Sequence, residues 1–330
     1  MTSDATPGRL MLLDTASLYF RAFYGLPDSI RTPEGQPVNA VRGLLDFIAR
    51  LTTDHSPTHL VAAWDNDWRP QWRVDLLPSY KTHRVAEVAP TDVVGAGGVG
   101  AESGVAEESP DALAPQVPWI LEALEALGIA VVGADGFEAD DVIATLATQW
   151  APEFERVDVV TGDRDLFQLV DDEAGIRALY TARGMSNLQS VDAAWVREKY
   201  GIEPQRYADF AALRGDTSDG IPGVAGVGEK TAAALVNVYD DLPALVAAAD
   251  DPASGLTKAQ RAKVLAGVDY LAIAGEVVRT RRDLDLGVDV GDCVLPSAPV
   301  DPEAFEALTA RLDLGSSAER ILTALARSSA

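Results

Sequence analysis

Cysteine is almost absent, with one residue, Cys293, in 330. A lone thiol excludes an intramolecular disulfide framework and a cysteine-rich zinc site, and it suits a reducing, cytoplasmic setting. No apolar run approaches the roughly 18 residues that mark a membrane-spanning helix. The opening MTSDATPGRL also lacks the basic start of a secretory signal. Histidine is scarce: His55, His59 and His83 all lie in the early part of the chain, away from its main acidic stretches, which disfavours a zinc hydrolase. No internal repeat is visible.

Acid is what the chain has in quantity. Asp and Glu number 51 against 27 Lys and Arg, a net charge of −24. A total of that sign argues against nonspecific nucleic-acid binding, yet the charge is patterned. From residue 69 to 84, Arg69, Arg73, Lys81 and Arg84 face only Asp75, among Trp72 and Tyr80. From residue 87 to 111, Glu87, Asp92, Glu102, Glu107, Glu108 and Asp111 meet no Lys or Arg. That second piece is Gly-rich without aromatics, the composition of a flexible solvated loop.

Periodicity gives an α/β order. Short apolar strands are expected at Arg9–Asp14, His59–Asp67, within GIAVVG (residues 128–133) and at Val157–Thr161, with helices after Asp14, over Val38–Leu51, over Pro115–Leu127 and after Glu138. Short links between such elements favour a parallel sheet flanked by helices. A hairpin is expected from Ile176–Tyr180 and Met185–Leu188. Beyond residue 190 the patterns turn helical at 190–199, 205–213, 229–238, 242–250 and 258–275, with one more helix within 300–327.

In a parallel sheet the strand ends share one edge, where ligands bind. Asp14, Asp65, Asp163 and Asp165 follow strands, and Glu138, Asp140 and Asp141 open a helix, so all seven can line one pocket. Taken singly each has a bland reading as a cap or turn residue. Together they repel by roughly 4 kcal/mol per close pair at an effective dielectric near 20, unless they spread into water, protonate or share cations. Hard cations such as Mg²⁺ or Mn²⁺ choose all-oxygen sites and bridge phosphates. An aspartyl-phosphate phosphatase wants a second Asp two residues after the first, and Asp14 is followed by Thr15 and Ala16.

The second informative stretch is LRGDTSDGIPGVAGVGEKTAAALV, residues 213–236. Asp216 and Asp219 flank a turn. Glu229 interrupts the Gly-Lys adjacency of a phosphate-binding P-loop, and no strand precedes it. A helix–hairpin–helix turn fits better: glycines let the backbone approach a nucleic-acid phosphate and Lys230 adds charge. A tight interhelical turn alone is the alternative.

Here the chain resembles the prokaryotic 5′-nucleases, that is, flap endonucleases and the 5′–3′ exonuclease domains of bacterial DNA polymerase I, as a free-standing member. LLDTASLYFRAFYG, AAWD, YKTHR, GFEADDVIATLA, VVTGDRDLFQLV and LRGDTSDGIPGVAGVGEKTA carry the likeness, in family order across roughly residues 10–275. It implies a PIN-like α/β nuclease core over 9–187 with a helical arch at about 67–115, whose flexible acidic part is 86–110. A helix–hairpin–helix (H3TH) DNA-binding region over 188–290 and a C-terminal tail and helix over 291–330 would follow.

The resemblance also implies a phosphodiesterase using two or three Mg²⁺ or Mn²⁺ ions, with no nucleotide cofactor and no membrane. It would cut flaps, gaps and 5′ ends of DNA, including RNA–DNA, in replication and repair. Asp14, Asp65, Glu138, Asp140, Asp141, Asp163, Asp165, Asp216 and Asp219 match the family's metal-site acids. Lys81 and Arg84 would contact the scissile phosphate, Tyr80 would stack on a terminal base, and Arg21 is placed for phosphate. Arg69 and Arg73, with the turn of Gly223, Gly226, Gly228, Lys230 and Thr231, would hold DNA, and a potassium ion often sits at that turn. Between Arg84 and Pro110 the chain is longer and more acidic than the family pattern. Rival readings are a non-catalytic DNA-binding protein on the same fold, a P-loop NTPase and a small-molecule metallophosphatase.

Overall fold

The apolar run of β1 (Gly8–Asp14) becomes the centre of a six-stranded sheet in the computed structural model, which describes residues 8–85 and 110–328. β1 pairs in parallel with β2 (His59–Trp64) on one side and β4 (Phe154–Thr161) on the other. The order is β3-β2-β1-β4-β5-β6, with β3 at Ala130–Gly133, β5 at Ile176–Tyr180 and β6 at Gln189–Val191. Only β6 runs antiparallel. The chain therefore builds outward from β1 to β3, then returns to place β4 on the far side. That reversal of strand order at β1 and β4 opens a crevice beyond their C-terminal ends.

Both faces of the sheet are covered, as the continuous hydrophobic strands require. Met11, Leu13, Leu60 and Ala62 pack under α1 (Thr15–Gly25), α2 (Asn39–His55) and α4 (Gln116–Leu127). Leu10, Leu12, Val61 and Ala63 point the other way, against α5 (Ala139–Trp150) and the extended chain around Cys293. Gly128, at φ 75°, ends α4 in the left-handed conformation that glycine takes without a Cβ clash.

A third core gathers the helical half around Tyr207 and Phe210. It holds α6 (Ala193–Tyr200), α7 (Tyr207–Arg214), α8 (Glu229–Val236), α9 (Leu242–Asp250), α10 (Lys258–Ala266) and α11 (Val268–Val278). Of the expected arch, the structure describes α3 (Gln71–Leu76) and a single 3₁₀ turn at Thr82–Arg84. Nearly all of the acidic 86–110 segment lies outside the described residues.

Three expected elements differ. The second hairpin arm is Gln189–Val191, because Met185–Asn187 forms a 3₁₀ turn first. The helix expected over 258–275 is two, parted at Gly267, whose N–H closes α10 onto the Lys263 and Val264 carbonyls. The final segment also holds two helices, α12 (Pro302–Leu312) and α13 (Ser316–Ser328). Asp313 and Gly315, at φ 51° and 50°, break them apart. Phe305, Leu308, Ile321 and Leu325 bury into the same core as α2 and α4, so this segment is packed structure and not a free tail.

Candidate active site

The crevice beyond β1 and β4 is a cavity of about 460 Å³. Asp14, Asp65, Glu138, Asp140 and Asp163 line it, together with Lys81 and Arg84. Each acid is placed by ordinary backbone logic. Asp14 ends β1 and caps α1, accepting the Ser17 N–H at 3.1 Å and the Thr161 hydroxyl at 2.7 Å. Asp65 follows β2 and accepts the Ala139 N–H at 2.8 Å. Glu138 is the N-cap of α5 in a capping box with Asp141. Asp163 leaves β4 and accepts the Asp165 N–H at 2.9 Å.

Burial strains this set electrostatically. It pushes the Asp14 carboxyl up to about 7, helped by the Asp65 and Asp163 charges and only partly offset by its two hydrogen bonds. Asp140 is raised well above the usual carboxylate range by burial, then by Asp163 and Asp14. Burial also raises Asp65 and Asp219. Asp165 goes well up as well, and its buried Oδ1 accepts no hydrogen bond. A buried oxygen without a partner, beside acids that resist ionising, is what a site for shared cations presents.

Glu138 is the exception. Burial pushes it up, but the Lys81 and Arg73 charges outweigh that and hold it below its ordinary value. Lys81 Nζ and Arg73 both bond it directly, and the Tyr80 hydroxyl donates to it at 2.6 Å. Among the described residues, no three acidic, histidine or cysteine side chains are drawn together tightly enough to clasp one ion. The acids ring the cavity with cations interleaved, an arrangement that leaves room for a hydrated divalent cation rather than a fully dehydrated one.

The remaining expected residues sort differently. Asp141 is fully buried and turned to Arg73, which grips it at 2.9 and 2.8 Å; it does not line the cavity. Arg73 itself is 3% exposed and also donates to the Val277 carbonyl, so it is an internal counter-ion and not a DNA contact. Tyr80 is buried, which leaves no open ring face for a base. Arg69 braces the segment by donating to the Tyr80 and Pro78 carbonyls. Asp216 pairs with Arg164 and Arg214, and Asp219 with Arg84 at 2.7 Å. Arg21 lies beside Gly162, and its buried Nε has no hydrogen-bond acceptor.

Lys81 reaches the cavity from a left-handed backbone at φ 48°. Its N–H donates to the Asp219 carbonyl at 2.9 Å, and the Ser79 hydroxyl donates to the Gly220 carbonyl at 2.8 Å. A Cβ at Gly220 would stand 2.0 Å from the Ser79 carbonyl oxygen, so glycine is required for this docking. The 216–220 turn of the helical half thereby fixes Lys81 in the α/β half.

The glycine turn is separate from the cavity. Gly223 and Gly226 hold φ of 68° and 74°, and Gly228 caps α8. Lys230 is exposed and Thr231 half-buried. Sequence reasoning missed Arg164, Trp68, Tyr180, Phe20, Ser17 and Ser218 on the cavity wall. Only Arg164 carried a signal, as the cation between Asp163 and Asp165.

The raised carboxylates set a pH dependence. A carboxyl with a raised folded pKa stabilises the fold below its unfolded value and loses that contribution as pH rises through the folded one. For Asp14 the window runs from 3.8 to about 7. In EDTA the melting temperature should therefore fall by several degrees across that window, Mn²⁺ should restore it, and Asp14→Asn should flatten the slope. A melting temperature that rises with pH in EDTA would contradict this reading. No described helix is long and apolar enough to cross a membrane.

Known proteins place this arrangement. Residues 9–201 match the family model of the 5′–3′ exonuclease N-terminal resolvase-like domain, and residues 202–301 that of the 5′–3′ exonuclease C-terminal SAM fold. A 5′–3′ exonuclease of Streptomyces coelicolor is 56% identical over 315 residues, covering 96% of this chain and 99% of that one. One of Mycobacterium tuberculosis is 47% identical over 324 residues, covering 96% and 97%. The bacteriophage T5 D15 flap endonuclease, solved as a pseudo-enzyme–product complex with DNA and metal ions, shares the fold at a TM-score of 0.59 and 16% identity, over 94% of this chain and 99% of that one. A resolvase-like sheet with its acids at the switch point, followed by a helical SAM fold, and two near-full-length relatives of one kind, make this chain a member of the 5′–3′ exonuclease family.

Proposed function

We propose that this chain is a divalent-metal-dependent 5′-nuclease that hydrolyses DNA phosphodiesters at flaps, gaps and 5′ ends, in Okazaki-fragment processing and repair. The observation that carries the reading is the cavity itself, where five carboxylates and three cations, Lys81, Arg84 and Arg164, meet at the β1/β4 switch point. Asp14, Asp65, Glu138, Asp140 and Asp163 would hold two Mg²⁺ or Mn²⁺ ions, with Asp165, Asp216 and Asp219 acting through water. Such ions stabilise charge on the phosphoryl oxygens and lower the pKa of an attacking water.

The protein's own groups do the rest. Lys81 and Arg84 meet the scissile phosphate, each held by an acid until substrate arrives. Glu138 stays ionised because Arg73 and Lys81 keep it so. The 223–231 turn grips duplex backbone, where phosphate contacts set register without reading sequence. At a net charge of −24 the chain binds DNA through these local cations, so affinity falls steeply with salt. A domain division at about residue 188 follows from this split of labour, with the α/β half cutting and the helical half holding.

A labelled 5′-flap duplex is cut in Mg²⁺ or Mn²⁺ and left whole in EDTA; nicked and blunt duplexes run beside it rank the preferences. Failure to cut in either metal, with DNA still bound, selects the binding-protein reading instead. Lys81→Ala should lower kcat by roughly a hundredfold with little change in KM. Equal losses in binding and turnover would remove Lys81 from the scissile phosphate.

A further inference from the structure

The glycine turn carries a cation of its own. Lys263 on α10 lays its Nζ 2.7 Å from the Gly226 carbonyl oxygen. A Cβ at Gly226 would stand 3.1 Å from Lys263 Cε and 3.2 Å from Nζ. Gly226 is favoured by its φ of 74°, and the lysine end lies close enough that a side chain there would press on it. Among the described residues no carboxylate forms an ion pair with Lys263. The chain has only five lysines, and three of them, Lys230, Lys258 and Lys263, belong to this turn and α10.

The resemblance implies a potassium ion at such a turn. Here the Gly226 carbonyl is already met by an ammonium of the same charge at 2.7 Å, which repels a second monovalent cation at that oxygen. An ammonium carries three N–H donors, and the carbonyl uses one.

We propose that Lys263 is the resident cation of the turn and a phosphate-positioning residue for DNA. Its ammonium anchors on Gly226 and offers its other donors to a backbone phosphate, so the grip on duplex does not depend on potassium. The inference rests on the reading of the 223–231 turn as a DNA contact.

Fluorescence anisotropy of the full chain with a labelled 5′-flap duplex in EDTA tests it, with no cutting to interfere. Wild type should bind equally in KCl and in tetramethylammonium chloride at matched ionic strength. Lys263→Met should weaken binding by roughly tenfold and flatten the slope of log Kd against log salt by about one. Lys199→Met, at an exposed position of α6, removes the same charge elsewhere and should change little. Circular dichroism checks that each variant is folded.

Loss of wild-type affinity on replacing K⁺ overturns the proposal. So does a Lys263→Met variant that binds like wild type, or binds weakly with an unchanged salt slope, while Lys230→Met is impaired. If Lys230→Met and Lys263→Met both bind like wild type, the turn is not a DNA contact and the parent reading fails with it.

Discussion

Arg73→Met should destabilise the protein by about 3–5 kcal/mol, the usual cost of leaving a buried charge unpaired. Its guanidinium is 3% exposed and bridges Glu138 and Asp141, both almost fully buried. It also stacks over Trp72, 4.5 Å from the ring centroid, and donates to the Val277 carbonyl at 3.1 Å. Removing it strands Asp141 in a dry interior, takes one of two cations from Glu138, and unties α3 from both halves of the molecule. Urea denaturation reads the loss. Adding Asp141→Asn should recover a substantial part of it, because the partner's charge is what became costly. An Arg73→Met protein that unfolds like wild type and loses only DNA affinity would return Arg73 to the surface role its sequence context suggests.

If Asp140 holds metal as proposed, Asp140→Ala should reduce cleavage by at least about a hundredfold, since metal-site residues weigh on both affinity and turnover. Its effect on the metal-free fold should be the opposite of harm. Burial, then the Asp163 and Asp14 charges, push the Asp140 carboxyl well above the usual carboxylate range, so deleting it removes a costly buried acid and should raise the melting temperature in EDTA. Asp141→Ala, one residue on, should do the reverse to stability, because it takes from the buried Arg73 guanidinium the carboxylate that meets it at 2.9 and 2.8 Å. Two adjacent aspartates thus give opposite stability changes. Calorimetry in EDTA beside a flap-cleavage assay separates them, and matching destabilisation by both would refute the division.

The strands and their terminal acids were legible because their code is local. An apolar run ending in Asp, as in β1 and β2, needs no partner to be read, and a shared parallel edge then brings the acids together. Side-chain direction was not legible. Asp140 and Asp141 sit side by side in one capping pattern, yet a helix turns consecutive residues by about 100°, so one meets the cavity and the other meets Arg73. Arg73 and Tyr80 read as DNA contacts because a cation-and-aromatic strip looks the same whether solvated or buried. Their acid partner Glu138 lies 65 and 58 residues away, beyond any window of pattern. Breaks at Gly267 and Gly315 were lost for a milder reason, since one glycine inside a periodic stretch does not by itself end a helix. Lys263 gave no signal at all, because its meaning lies in a carbonyl 37 residues upstream.

The packing of α13 has a consequence for biosynthesis. Ile321 and Leu325 share a core with α2, and Arg320 pairs with Asp46 across 274 residues. The α/β half emerges from the ribosome long before the helix that covers it. At about 5–20 residues per second, the apolar side of α2 waits some tens of seconds for its cover. During that interval the cavity walls rest on an unfinished foundation, and a nascent chain is open to chaperones.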